Sequence, residues 1–140
     1  MIRRITIPGI PQGKGRPRFT MKGGHAYTPA KTAAYERSVV QAYKLSYPRE
    51  EPLTGPLEMK IDAYMPIPES WPKSKKAAAL AEIIQPTVKP DTDNIGKIVA
   101  DSLNGVAYLD DKQITTLRVR KRYGAWPHVD IEIYDLNSEG

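Results

Sequence analysis

The sequence predicts an α+β fold: a small mixed β-sheet with two main helices packed on it, as a single domain over residues 1–140. Three observations carry this. Residues 57–64 and 127–136 alternate apolar and polar side chains, the period of a half-buried strand. Residues 28–45 and 93–103 place apolar side chains at helical spacing. The chain has 140 residues, 40% of them hydrophobic, which suits one modest core and not a disordered polymer.

Taken in order, Arg4 to Pro8 reads as a first strand with Ile2, Ile5 and Ile7 close by, ended by Pro8-Gly-Ile-Pro11. Residues 12–18 form a basic Gly/Pro loop, and 19–27 fit a short hairpin around Gly23-Gly24. Thr28 as N-cap and Pro29 at the first helical position start a helix to about Leu45. Its expected buried side is Ala34, Val39, Ala42 and Tyr43. Residues 48–56 connect to a strand over Leu57–Tyr64. Ser70 and Pro72 introduce a short helix over 74–82. Asp93 to Leu103 reads as an amphipathic helix with Ile95, Ile98, Val99, Ser102 and Leu103 on one face, and Asn104-Gly105 as its stop. Two strands follow. The first covers 113–123 with Ile114, Leu117 and Val119, and the second covers 127–136 with Val129, Ile131 and Ile133.

Composition narrows the chemistry. There is no cysteine, so disulfides and thiolate zinc sites are excluded, and a reducing, cytoplasmic compartment is expected. No run approaches the ~18–20 apolar residues of a membrane span, and the first residues carry no signal-peptide pattern. The net charge of +5 is unevenly spread: residues 1–50 balance at +8 and residues 51–140 at −3. A basic front half with an acidic site behind it suits a polyanionic substrate.

The acid is concentrated in Lys89-Pro-Asp-Thr-Asp-Asn-Ile-Gly-Lys97 and in Asp110-Asp111. If Asp91-Thr92-Asp93 is extended, its two carboxylates leave the backbone on one side. Two close carboxylates resist joint ionisation unless a cation intervenes. A magnesium ion, which takes oxygen ligands, removes that penalty, and a carboxylate from the Asp110-Asp111 turn completes the cage. Adjacent residues seldom aim alike, so one of that pair faces the ion. Lys97, one turn after Asp93, is placed to steady a phosphate or a developing charge. The structural alternatives are plain: a post-proline turn at Asp91, an N-cap at Asp93, and salt bridges from Lys97 to Asp93 or Asp101. Asp101 is expected to partner Lys97 or to support the ligands. Lys14, Arg16 and Arg18 in the front loop, Lys89 before the acidic motif, and Arg118 and Arg120 on one face of a strand supply cations for a phosphate backbone. Arg122 extends that row. Trp71, Tyr123 and Trp126 are candidates for base stacking or for core packing.

Together, Lys89-Pro-Asp-Thr-Asp-Asn-Ile-Gly-Lys97, Asp101-Ser-Leu-Asn-Gly105 and Tyr108-Leu-Asp-Asp-Lys-Gln-Ile114 closely resemble the RusA family of Holliday-junction resolvases. Gly13-Lys-Gly-Arg-Pro-Arg-Phe19, Tyr27-Thr-Pro and Pro68-Glu-Ser-Trp-Pro-Lys agree, so the likeness covers most of the chain. It implies a homodimeric α+β endonuclease, often phage- or prophage-borne, that cuts four-way DNA junctions with Mg²⁺ or Mn²⁺. Carried over by position, Asp91, Asp93 and Asp111 correspond to the metal-binding catalytic carboxylates and Lys97 to the catalytic lysine. Asn94, Asp101 and Asp110 match with a supporting role. The front loop departs from shorter family members, which have a more polar Asn-rich segment there. Two rivals stand beside this reading: a catalytically silent DNA-binding protein, and a general structure-selective nuclease.

Overall fold

The computed structural model describes residues 1–16, 18–19, 24 and 26–137, with only the backbone for 18–19. Six strands and three α-helices are formed among them: β1 (Ile2–Pro8), β2 (Arg18–Phe19), β3 (Ala26–Tyr27), α1 (Ala30–Ser46), β4 (Leu57–Pro66), α2 (Lys73–Leu80), α3 (Thr92–Ser102), β5 (Ile114–Gly124) and β6 (His128–Asp135). The main sheet has the order β1-β6-β4-β5. β4 runs antiparallel to β6 and parallel to β5, so the sheet is mixed, as expected. β2 and β3 pair as the expected hairpin, whose Gly23 lies outside the described residues.

Alternation along the strands makes two different faces. Leu57, Met59, Ile61 and Ala63 of β4 and Val129, Ile131 and Ile133 of β6 are buried under α1 and α3. Glu58, Lys60, Asp62 and Tyr64 point the other way and stay half-exposed. Register carries this open face across the sheet. Arg4, Glu132, Lys60 and Arg118 form one row, and Thr6, Asp130, Asp62 and Arg120 the next. Cross-strand pairs match its charges: Arg4 with Glu132 at 2.9 Å, and Arg122 with Asp62 at 3.3 Å. A smaller cluster of Met65, Ala79 and Tyr123 holds α2 at the end of β4 and β5, with Trp71 edge-on to Tyr123 at 5.4 Å.

Several expectations are corrected. α1 and α2 start at Pro29 and Pro72 without any side-chain cap, so neither Thr28 nor Ser70 caps a helix. The fixed φ of proline is enough to set a first turn. The buried stripe of α1 is Thr32, Tyr35, Val39 and Tyr43, with Ala42 half-buried and Ala34 exposed. Larger rings at 35 and 43 outcompete alanine for the core because they remove more apolar surface from water. Leu117 is 46% exposed because β5 is the edge strand of the sheet.

Arg3 is a buried cation that the pattern of isoleucines around it did not announce. It is 4% exposed and donates hydrogen bonds to the Tyr43 hydroxyl and, at 3.2 Å, to the Glu51 carbonyl. The connection from β5 to β6 is equally constrained. Residues 125–127 must cross the end of β4 to reach the far side of that strand. The crossing brings Gly124 so close that a Cβ there would lie 2.9 Å from Cβ of Tyr64 and 3.1 Å from the Trp126 carbonyl. Gly124→Ala is therefore expected to cost about 1–3 kcal/mol, the usual penalty of overpacking, read as a lower urea midpoint.

Candidate active site

Helix α3 carries the acidic motif, and its buried side fixes where the charges point. Ile95, Gly96, Ile98, Val99 and Ser102 are buried, leaving Asp93, Lys97 and Asp101 along the opposite face. Gly96 permits a close approach to β5, since a Cβ there would meet Leu117 and Val119 side chains at 3.1 Å. At 1.5 Å per residue, Asp93 and Asp101 are about 12 Å apart along the axis, with Lys97 midway.

Asp91 is the N-cap residue, extended at φ −69° and ψ 152°. Its carbonyl accepts the Ile95 N–H at 3.0 Å, but its side chain caps nothing. The expected extended geometry thus holds at Asp91, while the helix begins one residue early, at Thr92. Asp91, Asp93 and Lys97 are exposed, and among the described residues their side chains make no ion pair. The expected bridges from Lys97 to Asp93 or Asp101 are not formed. Asp101 is paired instead with Lys14 at 3.3 Å.

Lys14 corrects the reading of the front loop. Its ammonium also bonds Glu36 of α1 at 2.8 Å, and its backbone N–H donates to the Asn94 carbonyl at 3.0 Å. The next N–H, of Gly15, donates to Thr32 Oγ1 at 3.1 Å. A Cβ on Gly13 would sit 3.0 Å from Pro90 and Asn94, and one on Gly15 would be 2.5 Å from Thr32 Oγ1. The two glycines let the loop thread between α1 and the start of α3, and the lysine locks it there. Lys14 is thus a clamp between two helices and not a free cation for phosphate. Burial opposes its charge, but hydrogen bonds and charges from Glu36 and Asp101 outweigh this and raise its pKa. Arg16, Lys89, Arg118 and Arg120 are exposed without an ion-pair partner among the described residues. Arg18 starts β2, and its side chain lies outside the described residues.

The second acidic pair sits on a 3-10 turn, Asp111–Gln113, whose two aspartates have different environments. Asp110 caps the turn, accepting from the Lys112 N–H at 2.9 Å, and that bond holds its pKa below the ordinary range. Asp111 is half-buried. Desolvation first, then a hydrogen bond with Asp110 and the charges of Asp110 and Asp101, raise its pKa, while Asn104 opposes.

Two further residues hold this turn, Gln113 against residues 53–55 and Tyr108 against α3. Gln113 accepts from the N–H groups of Leu109 and Asp110, both at 2.9 Å, and donates to the carbonyls of Leu53 at 2.9 Å and Gly55 at 3.0 Å. Tyr108 is fully buried and donates to the Ala100 carbonyl at 2.6 Å. Sequence reasoning placed both in a motif but gave them no role. Their signal was a polar group beside apolar positions that must find buried partners.

The donors fit a hard, oxygen-seeking cation, since every candidate is a carboxylate. In this conformation, no three His, Cys, Asp or Glu side chains among the described residues converge on one point that could hold a metal ion. Asp111 meets Asp101 and Asn104, toward the C-terminal end of α3, while Asp91 and Asp93 lie at its N-terminal end. A cleft of about 460 Å³ opens beside that N-terminal end, with Thr92 and Gln85 on one side and Arg120, Lys121 and Arg122 of β5 on the other.

Comparison with known proteins agrees with the motif. The family model described as Endodeoxyribonuclease RusA matches residues 8–134. Over 139 residues the chain is 37% identical to a Bacillus subtilis (strain 168) protein described as "Uncharacterized protein YqaN", covering 96% of this chain and 97% of that protein. The chain belongs to the RusA endodeoxyribonuclease family.

Two predictions follow from the electrostatics. Lys14→Met leaves Glu36 and Asp101 facing each other and should cost roughly 1–3 kcal/mol in urea unfolding, with faster amide exchange over residues 13–15. Asp111 has a raised folded pKa, so its favourable contribution is present only below its unfolded value of about 3.9 and is lost as pH rises through the folded value. Asp111→Asn should therefore raise Tm at pH 7, and the gain should vanish on acidification toward pH 3.

Proposed function

We propose that this chain is a divalent-metal-dependent endonuclease that resolves four-way DNA junctions as a homodimer, in DNA recombination or repair. The observation that carries the reading is the family match over residues 8–134, joined to Asp91, Asp93 and Lys97, which are exposed and without an ion pair among the described residues along one helix. A free carboxylate pair and a free ammonium have a solvation cost only when something binds them, which is the state expected of a site awaiting ion and substrate.

Asp91 and Asp93 would hold Mg²⁺ or Mn²⁺ at the N-terminal end of α3, with Asp111 joining them only once the acidic turn shifts toward that end, and the ion would supply an activated water and offset charge on the leaving oxygen. The protein's own residues do the rest. Lys97, between the two ends of α3, would stabilise negative charge building on the scissile phosphate. Arg16, Lys89, Arg118 and Arg120 would hold flanking phosphates, so affinity should fall steeply with salt. Lys14 would act through position, keeping the front loop against Asn94 and neutralising Asp101 so that it does not compete for substrate-facing cations. Asp110 would shape the turn that presents Asp111. A two-fold dimer with one site per subunit matches a junction whose two opposed strands are related by a two-fold axis.

The test is nicking of a synthetic four-way junction in Mg²⁺, alongside three-way, duplex and single-stranded DNA. Wild type should cut the four-way junction in preference. Asp91→Asn and Asp93→Asn should cut at least about 100-fold more slowly while still binding the junction, as expected when an electrostatic contribution to the transition state is lost. Equal cutting by wild type and Asp91→Asn would overturn the assignment of Asp91. Junction binding with no cutting in Mg²⁺ or Mn²⁺ would select a silent DNA-binding protein, and indifferent cutting of all substrates would select a general nuclease.

A further inference from the structure

We propose that Trp126 is a stacking platform for an unpaired nucleobase, set on the open face of the sheet at the β5–β6 crossing; this rests on the reading that the chain acts on DNA. Three rings form a pile at the β5–β6 crossing. His128 lies between Tyr64 and Trp126, with centroids 4.3 Å and 3.7 Å away and planes within 10° and 19° of parallel.

The middle ring is pinned. His128 is 8% exposed, its Nδ1 is 3.0 Å from the Trp126 carbonyl, and its Nε2 is 3.5 Å from Asp130. Gly124 adds the close approach of Tyr64 to the crossing chain. The indole at the top is 52% exposed. A large flat ring, oriented from below and open above, has little orientational entropy left to lose when another flat ring is laid on it. Every base has such a face, so the platform takes unpaired bases without regard to sequence.

Charge on the same face favours a nucleic-acid strand over an apolar partner. Asp62, Asp130 and Glu132 are each within ion-pair distance of a cationic side chain or of His128, whereas Arg118 and Arg120 have no ion pair among the described residues. Cations without an ion pair among the described residues thus line the β5 edge, while Asp62 and Glu132 are paired with arginines, Asp130 accepts from the Thr6 hydroxyl, and Glu58 at the far end of β4 has no ion pair among the described residues. Arg120 also lines the cleft beside Thr92, next to Asp91 and Asp93. From Arg120 to Gly124 is about 13 Å of strand. A single strand leaving the acidic end of α3 can follow β5 past these arginines and place a base on Trp126. A four-way junction interrupts base stacking where strands exchange, so a base there is displaced at lower cost than one inside a continuous duplex.

The test uses indole emission in a Trp71→Phe background, where Trp126 is the sole tryptophan of the sequence. Titration with a short oligothymidylate should quench the emission to saturation. Trp126→Leu should weaken oligothymidylate binding about 5- to 100-fold, the range seen for loss of one base–aromatic stack, whereas Trp126→Phe should keep most of it. Circular dichroism confirms that each variant is folded. No quenching, or equal affinity in a folded Trp126→Leu protein, would overturn the platform. Junction nicking by the Trp71→Phe protein is measured in parallel. Nicking without quenching overturns the platform and leaves the nuclease reading standing, whereas quenching without nicking supports the platform and sinks the nuclease reading.

Discussion

The burial of one side of α3 is the constraint on which the rest of the site depends. Ile95, Ile98 and Val99 reach 1%, 0% and 0% exposure against the sheet, so the helix cannot rotate without exposing them. That fixes Asp93, Lys97 and Asp101 on the outward stripe. The close seat at Gly96 against Leu117 and Val119 brings the same helix to the β5 edge. Apolar packing supplies the energy here, and the polar residues inherit their positions from it.

Charge then divides α3 into two parts. Toward its C-terminal end, Lys14 satisfies Asp101 and Glu36, and the turn around Gln113 consumes Asp110. Toward its N-terminal end, Asp91, Asp93 and Lys97 are left without partners among the described residues. The same chain therefore uses some carboxylates to hold structure and withholds others from it. Asp111 lies between these uses: it is tied to the turn, yet its neighbours disfavour its charge.

Most of the scaffold was legible in the sequence because strand and helix periods are local. The alternation over 57–64 and 128–135 and the apolar face of 93–103 survive unchanged in the fold. What was not legible is long-range. Lys14 looked like a phosphate ligand because its partners lie 22 and 87 positions away, at Glu36 and Asp101. Thr28 and Ser70 looked like caps, yet Pro29 and Pro72 occupy the cap positions and already set the first turns. Arg3 sits among isoleucines with no local sign that Tyr43 and Glu51 would receive its guanidinium. In the acidic motif, residue types identified the family, but the pattern could not say which charges would be spoken for.

The parallel pairing of β4 with β5 explains why site and open face can serve one substrate. A parallel neighbour cannot be joined by a tight hairpin, and here α2, α3 and the acidic turn all fall within the β4-to-β5 crossover. The crossover that the topology requires therefore carries the acidic motif on one side of β5. The short return to β6 must then cross β4 at the end of the same strand, and that crossing lifts Trp126 onto the opposite side. An edge strand bordered by acid on one face and by arginine and an open indole on the other is the direct outcome of that order. Reversing β5 would separate the two features by the length of the sheet.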